Sequence, residues 1–369
     1  MIQKFDITIL GGGPASASAA ISLLQKGYSV AVLEKSDYSQ IRIGETIQPQ
    51  ISSLLDHLKI DNEIFRYHLP SHAIQSVWGE ASLKENNFFF NPFGHGWHLN
   101  RLKFDLQLIR SAEKAGSQVF INSRVKSVQQ NDQGNWTIQF LYGRHEKIIN
   151  TRFIIDATGR NTFLVRKQGG SRVNTDHLIG MVSIQERKRQ QNNSNYTLIE
   201  PIKNGWWYSA DIPGNKIVSA FMTDPDLYKR ERCNAEKIFN QSLCEATLTK
   251  ERCSGLFQRI TRVFAANSYI MTKTHGTNWV AIGDAAMAFD PLSSQGIYKA
   301  VKSGISAAKA IDEQFTGNRS ALKIYSDNLN ATFKKYMHLR QLYYLKEKRW
   351  PESLFWKRRH TDVYPKTII

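Results

Sequence analysis

Gly11-Gly12-Gly13-Pro14-Ala15-Ser16 lies between an apolar run at 5–10 and a small-residue segment that reaches Lys26. The apolar run has the branched character of a buried parallel strand, and the segment after the glycines is typical of a helix. Gly11 permits a tight turn, Gly13 lets the backbone approach a pyrophosphate, and Ser16 is small enough for helix–strand packing. The helix that begins at Pro14 and Ala15 would offer unpaired N–H groups to phosphates.

A second strand is predicted at 28–33, and it leads into Glu34, 21 residues after Gly13. An acidic residue at this place in a βαβ unit accepts hydrogen bonds from the ribose hydroxyls of a dinucleotide, and it favours a ribose without a 2′-phosphate. The first βαβ unit therefore predicts a dinucleotide site, to which we also assign Lys35.

A second motif, Gly283-Asp284-Ala285-Ala286, follows an apolar, strand-like run at 279–282. After it come Asp290-Pro291-Leu292-Ser293-Ser294-Gln295-Gly296 and a predicted helix to about residue 315. With these two motifs the sequence resembles the superfamily of FAD-dependent aromatic hydroxylases and flavin-dependent halogenases.

The resemblance implies a role for each part of the second motif. Asp284 would bind the ribityl chain of FAD, while Pro291, Gly296 and Ile297 would line the flavin. Physical chemistry agrees, because the N–H groups at the start of a helix suit the negatively polarised edge of a reduced flavin.

Three further segments support the same resemblance: Arg42-Ile43-Gly44-Glu45-Thr46, Arg101-Leu102-Lys103-Phe104-Asp105 and Asp156-Ala157-Thr158-Gly159-Arg160. They are similar to the family patterns R-x-G-E, R-x-x-F-D and D-A-T-G-x. The resemblance implies that Arg42 and Arg101 reach the cofactor and that Glu45 lies near the flavin. It also implies that Asp156 and Gly159 lie near the adenine, and we add Val125 to the cofactor-binding set.

These patterns predict an α/β fold with two domains: a Rossmann-like FAD-binding domain, an inserted antiparallel β-sheet substrate domain and C-terminal helices. We assign residues 1–70, 98–165 and 266–315 to the FAD-binding domain. The substrate domain would comprise 71–97, which includes an aromatic strand-like run at 87–90, and 166–265. Residues 316–369 would form a basic C-terminal helical segment.

FAD is expected to be held non-covalently, because no His or Cys occupies an obvious attachment site. The sequence holds no second G-x-G-x-x-G, so a permanent NAD(P)H-binding domain is not expected. Electrons would come from a transiently docked NAD(P)H or from a separate flavin reductase.

Two departures from the halogenase pattern bear on the reaction. Flavin halogenases carry a lysine that handles hypohalous acid, and its expected place, Ser71-His72-Ala73-Ile74, holds none. Their W-x-W-x-I-P motif is replaced here by Gly205-Trp206-Trp207-Tyr208-Ser209-Ala210-Asp211-Ile212-Pro213. This form, with the basic ending 347–353, resembles a narrower branch: the maturation flavoproteins of bacterial quinoprotein amino-acid oxidases, which help to build cysteine tryptophylquinone.

The resemblance implies an FAD-dependent monooxygenase that hydroxylates an electron-rich aromatic ring, and the narrower branch points to a tryptophan of a precursor oxidase as that ring. The catalytic candidates are Glu45, His72 and Trp207, with His95 and His98 as further general bases. The alternatives are a small-molecule aromatic hydroxylase, an enzyme like geranylgeranyl reductase, and a non-catalytic flavoprotein assembly factor.

Composition excludes few classes of protein. The net charge is +17, yet the sequence lacks zinc-finger spacing and other nucleic-acid signatures, so we expect no nucleic-acid partner. A strand begins almost at Met1 and no apolar run approaches the length of a membrane span, so we expect a cytoplasmic protein without a membrane span. Three cysteines without C-x-x-C spacing predict free thiols, and we expect no metal site.

The C-terminal tail suggests a docking surface. Residues 334–369 hold ten Lys or Arg against three acids, with aromatic residues between them. Such a tail could anchor an acidic partner protein, or it could pack its aromatic residues onto the body of the protein. In both cases, reversal of Lys357, Arg358 and Arg359 to glutamate is expected to leave the melting temperature nearly unchanged.

Overall fold

The computed structural model describes residues 2–187, 195–231, 234–254, 260 and 262–361, with the backbone alone at 229–231. The predicted α/β fold is confirmed. Its helices in these ranges are α1 Pro14–Leu24, α2 Ile51–His57, α3 Arg101–Lys114, α4 Phe163–Lys167, α5 Ala235–Glu245, α6 Leu248–Arg252, α7 Gly296–Phe315, α8 Ala321–Lys346 and α9 Leu354–Thr361.

The strands of the first half are β1 Gln3–Leu10, β2 Val30–Leu33, β3 Thr46–Ile47, β4 Leu69–Ser71, β5 Ala73–Ser76, β6 Lys84–Asn87, β7 Gly96–His98, β8 Gln118–Phe120, β9 Ser123–Gln130, β10 Trp136–Tyr142 and β11 His145–Asp156. Those of the second half are β12 Arg172–Asn174, β13 Ile179–Glu186, β14 Tyr196–Ile202, β15 Gly205–Ile212, β16 Lys216–Thr223, β17 Arg262–Ala265, β18 Tyr269–Met271, β19 His275–Gly276, β20 Trp279–Ala281 and β21 Met287–Ala288.

An eight-stranded sheet forms the Rossmann-like part, in the order β19-β20-β11-β1-β2-β8, with β10 and β9 continuing from β11. The strands from β20 to β8 run parallel, and Leu10 pairs with both Leu33 and Asp156, while Asp156 pairs with Ala281. Because these carboxyl ends are in register, the loops that follow them meet at one edge of the sheet. That edge is where open α/β sheets bind ligands.

A seven-stranded sheet, β17-β13-β16-β15-β14-β5-β6, is largely antiparallel and lies in the segments assigned to the substrate domain. One face packs against Tyr344, Phe355 and Trp356 from the C-terminal helices. The other face packs against Ile238 and Phe239 of α5. A small sheet, β3-β7-β4, draws its strands from both sides of the expected boundary. The domain limits stay a prediction.

Two expectations about local structure were wrong. The strand predicted at 87–90 ends at Asn87, and Phe89 and Phe90 lie on an exposed loop. The basic tail does not present all its charges to solvent: Arg359 is 2% exposed and donates to Asp224 over 2.7 Å. Arg358 also binds Asp224, at 3.0 Å. Reversing these two arginines would therefore place a buried and a half-buried carboxylate beside Asp224, and the melting temperature would fall.

The predicted free cysteines can be located in part. Cys244 is exposed and Cys253 is buried, and both are free, whereas Cys233 lies outside the described residues. Most of the polar loop predicted at 187–195 lies outside them too.

Helices α1 and α7 cross in close contact over the eight-stranded sheet. A Cβ atom placed on Gly304 would lie 2.1 Å from Ser18 Oγ and 2.4 Å from the carbonyl oxygen of Ala15. Real Cβ atoms do not approach so closely, so only glycine fits at this crossing. The contact fixes the start of α1 against the middle of α7.

Gly304→Ala should lower the free energy of unfolding by about 1–3 kcal/mol, because the two helices must move apart to accept the methyl group. Urea denaturation of the flavin-free protein measures this loss. Ser306→Ala, on the exposed side of the same helix, is the matched control and should change stability by less than about 0.5 kcal/mol. Equal stability of both variants would contradict the crossing described here.

Candidate functional site

The start of α1 forms one end of the site. Gly13 is the N-cap, Pro14 occupies the first turn, and no side chain caps the helix or places an acid in that turn. The first N–H groups of α1 are thus left for another acceptor. Phosphate is the ligand that such a helix start commonly binds.

The three glycines before α1 serve different purposes. A Cβ on Gly11, whose φ is +104°, would lie 2.3 Å from the Ala157 carbonyl oxygen, and one on Gly12 would lie 2.3 Å from the Tyr38 hydroxyl. Around Gly13 nothing lies within 4 Å of that position. The fold itself therefore requires glycine at 11 and 12, but not at 13. The open space at Gly13 fits the close approach of a pyrophosphate.

Glu34 holds the same loop from the side of β2. Its carboxylate accepts hydrogen bonds from the Gly12 N–H group and from the N–H and hydroxyl groups of Ser36. Glu34 is buried, whereas the neighbouring Lys35 is exposed, and Val125 is half-buried on β9. Glu34 lies where the sequence predicted it, and it also shapes the turn that would receive the dinucleotide.

Arg42 and Arg101 converge on one buried carboxylate, that of Asp105. Arg42 Nη1 lies 2.8 Å from Asp105 Oδ2, and Arg101 donates to both oxygens of Asp105. Arg101 also donates to the carbonyl groups of Ile43 and Gly44, at 2.6 and 3.0 Å. The two arginines thus hold the segment that precedes Glu45. The sequence analysis did not assign Asp105, which binds both arginines, to the site.

Asp284 is flanked by two cations. Lys299 Nζ on α7 lies 2.7 Å from Asp284 Oδ1, and Arg160 Nε lies 3.8 Å from Oδ2. Burial raises the pKa of Asp284, but Lys299 and Arg160 outweigh it and leave the pKa below its ordinary value. Asp284 is therefore an anionic hydrogen-bond acceptor. The sequence analysis did not assign Lys299 to the site, although a lysine on the buried face of a helix indicates a buried acidic partner.

The start of α7 lies beside the segment after β3. Gln48 Nε2 donates to the Ser293 carbonyl group over 3.3 Å, which joins the loop that contains Pro291 to the segment after Glu45. No side chain caps α7 at Gln295, and nothing lies within 4 Å of a Cβ on Gly296. The N–H groups of Gly296 and Ile297 thus face a space that a flavin edge would fit.

Asp156 is saturated by the protein. Its carboxylate accepts hydrogen bonds from the N–H and hydroxyl groups of Thr158 and from the N–H groups of Leu164 and Val165. Asp156 therefore shapes its turn. Gly159, at φ +61° with nothing within 4 Å of a Cβ, is the open position of that turn.

Glu45 belongs to a buried polar cluster between the two sheets. Burial raises the pKa of Glu45 to about 6, although Arg101 opposes the shift. Next to it, the Thr46 hydroxyl lies 2.7 Å from the Tyr208 hydroxyl and 2.9 Å from that of Thr197. His98 Nε2 lies 3.1 Å from the same Thr197 hydroxyl. Glu45 can thus hold or release a proton near neutral pH.

A solvent-open cavity of about 820 Å³ is lined by residues of the segments 49–68 and 93–97. Its wall includes Trp97 of β7, which pairs with β3 directly after Glu45. Phe65 and Trp97 stack there with ring centroids 4.5 Å apart. The other lining residues are Pro49, Ser52, Asn62, Glu63, Arg66, His68, Phe93, Gly94 and His95. A stacked aromatic pair in the wall and a polar rim suit an aromatic substrate.

His68 is a cavity residue that the sequence analysis missed. The Asn100 N–H group donates to His68 Nδ1 over 3.1 Å, and burial lowers the His68 pKa to about 4. The ring is therefore neutral and carries its proton on Nε2, for which the described residues offer no acceptor.

The structure separates the three catalytic candidates. His72 is exposed and lies against His95, with ring centroids 5.2 Å apart, near the cavity. Trp207 is fully buried on the opposite face of β15 from Tyr208, where it packs on Phe221 and Phe239. Successive side chains of a strand point to opposite faces, so Trp207 cannot reach Glu45. Tyr208 instead lies on the face that was expected for Trp207. Burial lowers the pKa of His98 to about 4, so this ring is neutral too.

Membrane spans and metal clusters are both absent from the part of the chain that the structure describes. It contains no helix that is long and apolar enough to cross a membrane. Within the same residues no group of three His, Cys, Asp or Glu side chains could hold a metal ion.

An open βαβ turn, an acid at the end of its second strand and an uncapped second helix are the features of an FAD-dependent oxidoreductase of the monooxygenase type. The tryptophan halogenase family model matches residues 6–72 and 62–368, so the chain belongs to that family. LodB of Marinomonas mediterranea, described as an FAD-dependent oxidoreductase, is 29% identical over 97% of this chain and 98% of its own.

Other relatives are halogenases and a hydroxylase. A brominase of pyrrole-2-carbonyl groups on a peptidyl-carrier protein, from Pseudoalteromonas luteoviolacea, is 26% identical over 86% of this chain and 79% of its own. Among solved structures, the flavin-dependent halogenase CmlS has a TM-score of 0.86 at 23% identity, covering 97% of this chain and 68% of CmlS. QhpG, a peptidyl tryptophan dihydroxylase essential for tryptophylquinone cofactor biogenesis, has a TM-score of 0.80 at 19% identity, covering 96% and 78%.

Gly13→Val should abolish flavin binding without destabilising the flavin-free protein, because the added atoms occupy only the open space before α1. Gly12→Ala should instead lower the melting temperature of the flavin-free protein, because its methyl group meets Tyr38 and Glu34. Flavin absorbance per protein and thermal denaturation measure the two effects. A Gly13→Val protein with a full complement of flavin would refute the assignment of this turn.

Glu45 should make stability depend on pH. Its pKa is about 6 when folded against 4.5 ordinarily, so the folded protein keeps this proton longer, and stability falls as pH rises through 4.5 to 6. The loss should be about 2 kcal/mol. Glu45→Gln has no carboxyl group here and does not show this loss. The free energy of unfolding of the variant minus that of the wild type should therefore rise by about 2 kcal/mol between pH 4 and 7. Urea denaturation of flavin-free protein measures this.

The control is Glu63→Gln, which removes an exposed carboxylate. Its difference from the wild type should stay flat over the same pH range. A flat difference for Glu45→Gln as well would show that Glu45 is not buried as described.

Proposed function

We propose that this protein is an FAD-dependent monooxygenase that hydroxylates an electron-rich aromatic ring, namely a tryptophan of a precursor oxidase during biogenesis of its tryptophylquinone. The observation that carries the proposal is the open, aromatic-walled cavity, whose wall residue Trp97 pairs with the strand that follows the protonatable Glu45. An open cavity admits a side chain that stays attached to a protein, whereas a small substrate is usually enclosed on most sides.

The cofactor would be FAD, held without a covalent bond. Asp284 and the start of α7 would hold its flavin end, and Gly13 with Glu34 its adenosine end. Reduced FAD would supply the two electrons that the activation of dioxygen needs. NAD(P)H, directly or through a separate flavin reductase, would supply these electrons.

The residues of the chain have distinct tasks in this proposal. Phe65 and Trp97, which stack on each other, would offer the indole one aromatic wall of the cavity. Glu45, whose pKa lies near 6, would accept the proton that leaves the ring carbon after the carbon–oxygen bond has formed, as aromaticity is restored. His72, at the edge of the cavity, would exchange protons with solvent.

Halogenation is less well supported by the residues at the cavity. Among the described residues that line it, the ionisable ones are Glu63, Arg66, His68 and His95, and none is a lysine. Ser71 and Ala73 are buried in β4 and β5, where the resemblance placed that lysine. A halogenase would therefore lack the amine that carries the halogen.

Reduction of a carbon–carbon bond is a second candidate function, and it has a specific observation in its favour. A geranylgeranyl bacteriochlorophyll reductase-like protein from Thermoplasma acidophilum has a TM-score of 0.75 at 18% identity, which shows a shared fold. Such an enzyme would consume a nicotinamide or flavin hydride without dioxygen. A non-catalytic assembly factor, by contrast, would bind the precursor and leave its mass unchanged.

The test uses flavin-loaded protein, a flavin reductase, NADH, dioxygen and the unmodified precursor of a tryptophylquinone oxidase from the same organism. Mass spectrometry should show a tryptophan of the precursor heavier by one or two oxygen atoms, and Glu45→Gln should slow this at least tenfold. Glu146→Gln, which removes an exposed carboxylate on β11 outside the cavity, should react normally. A brominated tryptophan with bromide present, a reaction without dioxygen, or an unchanged precursor would overturn the proposal in favour of a halogenase, a reductase or an assembly factor.

A further inference from the structure

The loop 88–95 between β6 and β7 carries two adjacent aromatic side chains in solvent. Phe89 and Phe90 are 83% and 92% exposed, although Phe88 beside them is buried. Full burial of a phenylalanine side chain contributes about 1.5–3 kcal/mol, so this exposure forgoes a sizeable stabilisation. A contiguous apolar pair of this kind marks a surface that contacts another molecule.

Hydrogen bonds hold this loop in a defined shape. The N–H group of Asn91 donates to the Phe88 carbonyl group, and that of Gly94 to the Asn91 carbonyl group, both over 2.9 Å. The Asn87 side chain accepts from the N–H group of Phe89 over 2.7 Å. The rings of Phe89 and Phe90 meet edge to face at 4.9 Å. A loop that is ordered before binding costs less entropy when its partner arrives.

The loop is continuous with the candidate substrate cavity. Phe93, Gly94 and His95, at its far end, line the 820 Å³ space. Phe93, three residues after Phe90 on the same loop, is itself 44% exposed and lines the cavity. A molecule seated on the pair would lie across the entrance through which the aromatic substrate must pass.

The local charge distinguishes between two kinds of partner. Residues 80–95 hold Lys84 against Glu80 and Glu85, a net charge of −1, whereas the whole chain carries +17. An anionic membrane would attract the basic parts of the surface and repel this one. An apolar recess on a folded protein needs no positive charge around its anchors, and aromatic side chains are the usual anchors of such contacts.

We propose that Phe89 and Phe90 dock the protein substrate by inserting into an apolar recess on its surface, so that its target aromatic side chain enters the cavity. This inference rests on the proposed function, because it takes the substrate to be a folded protein. The loop binds and positions this protein and takes no part in the chemistry.

Binding of the flavin-loaded protein to the unmodified precursor oxidase, measured by biolayer interferometry, tests the inference. The variant Phe89→Ser/Phe90→Ser should raise the Kd at least tenfold, because both anchors are lost. Its flavin content, melting temperature and NADH oxidation without substrate should equal those of the wild type. Ile324→Ser, at a 51% exposed position on α8, is the matched control and should leave the Kd unchanged.

Several results would overturn the docking inference. An unchanged Kd for the double variant would do so, and so would a wild type that does not bind the precursor. The inference would also fail if the double variant lost only its binding to phosphatidylcholine or phosphatidylglycerol vesicles, or lost only a concentration-dependent dimer. The last two would identify a lipid surface or a second copy as the occupant. A wild type that binds the precursor without oxidising it would refute the proposed function and leave the docking surface intact.

Discussion

The close crossing of α1 and α7 is the constraint on which the site depends. Ala15 lies at this crossing, and its methyl group is also 3.0 Å from where a Cβ on Gly283 would be. The phosphate-facing turn and the segment around Asp284 are therefore separated by no more than a methyl group. Because the carboxyl ends of β1, β2, β11 and β20 are in register, their loops arrive at this point together. A wider crossing would separate the two halves of the cofactor site.

Buried ion pairs then fix the loops that the sheet alone leaves free. Asp105 binds Arg42 and Arg101, and Asp284 lies between Lys299 and Arg160. Buried pairs add little stability compared with apolar packing, but loss of one partner is costly, because the other charge stays buried. Such networks hold a geometry rather than strengthen a fold. They hold the loops at the carboxyl edge of the sheet in one conformation before any ligand binds.

The sequence allowed much of this site to be predicted, for a physical reason. Turns such as Gly11–Gly13 and acids such as Glu34 and Asp284 owe their roles to strand ends, which local patterns reveal. Contacts between distant segments determine the burial and the partners of Lys299, His68 and Arg359. Local sequence patterns do not reveal such contacts. Trp207 shows a third case. The cluster of aromatic residues at 206–208 was recognised, but the phase of the strand decides which of them faces Glu45.

The packing of the chain's end onto its middle has a consequence for how the protein is made. Trp356 Nε1 donates to the Ile202 carbonyl group, 154 residues earlier, and its ring completes one face of the seven-stranded sheet. A ribosome extends a chain by about 5–20 residues per second, so these strands emerge several seconds before their cover is synthesised. During that interval the nascent sheet exposes an apolar face. Until α9 has been translated, that face is an aggregation-prone surface of the nascent chain.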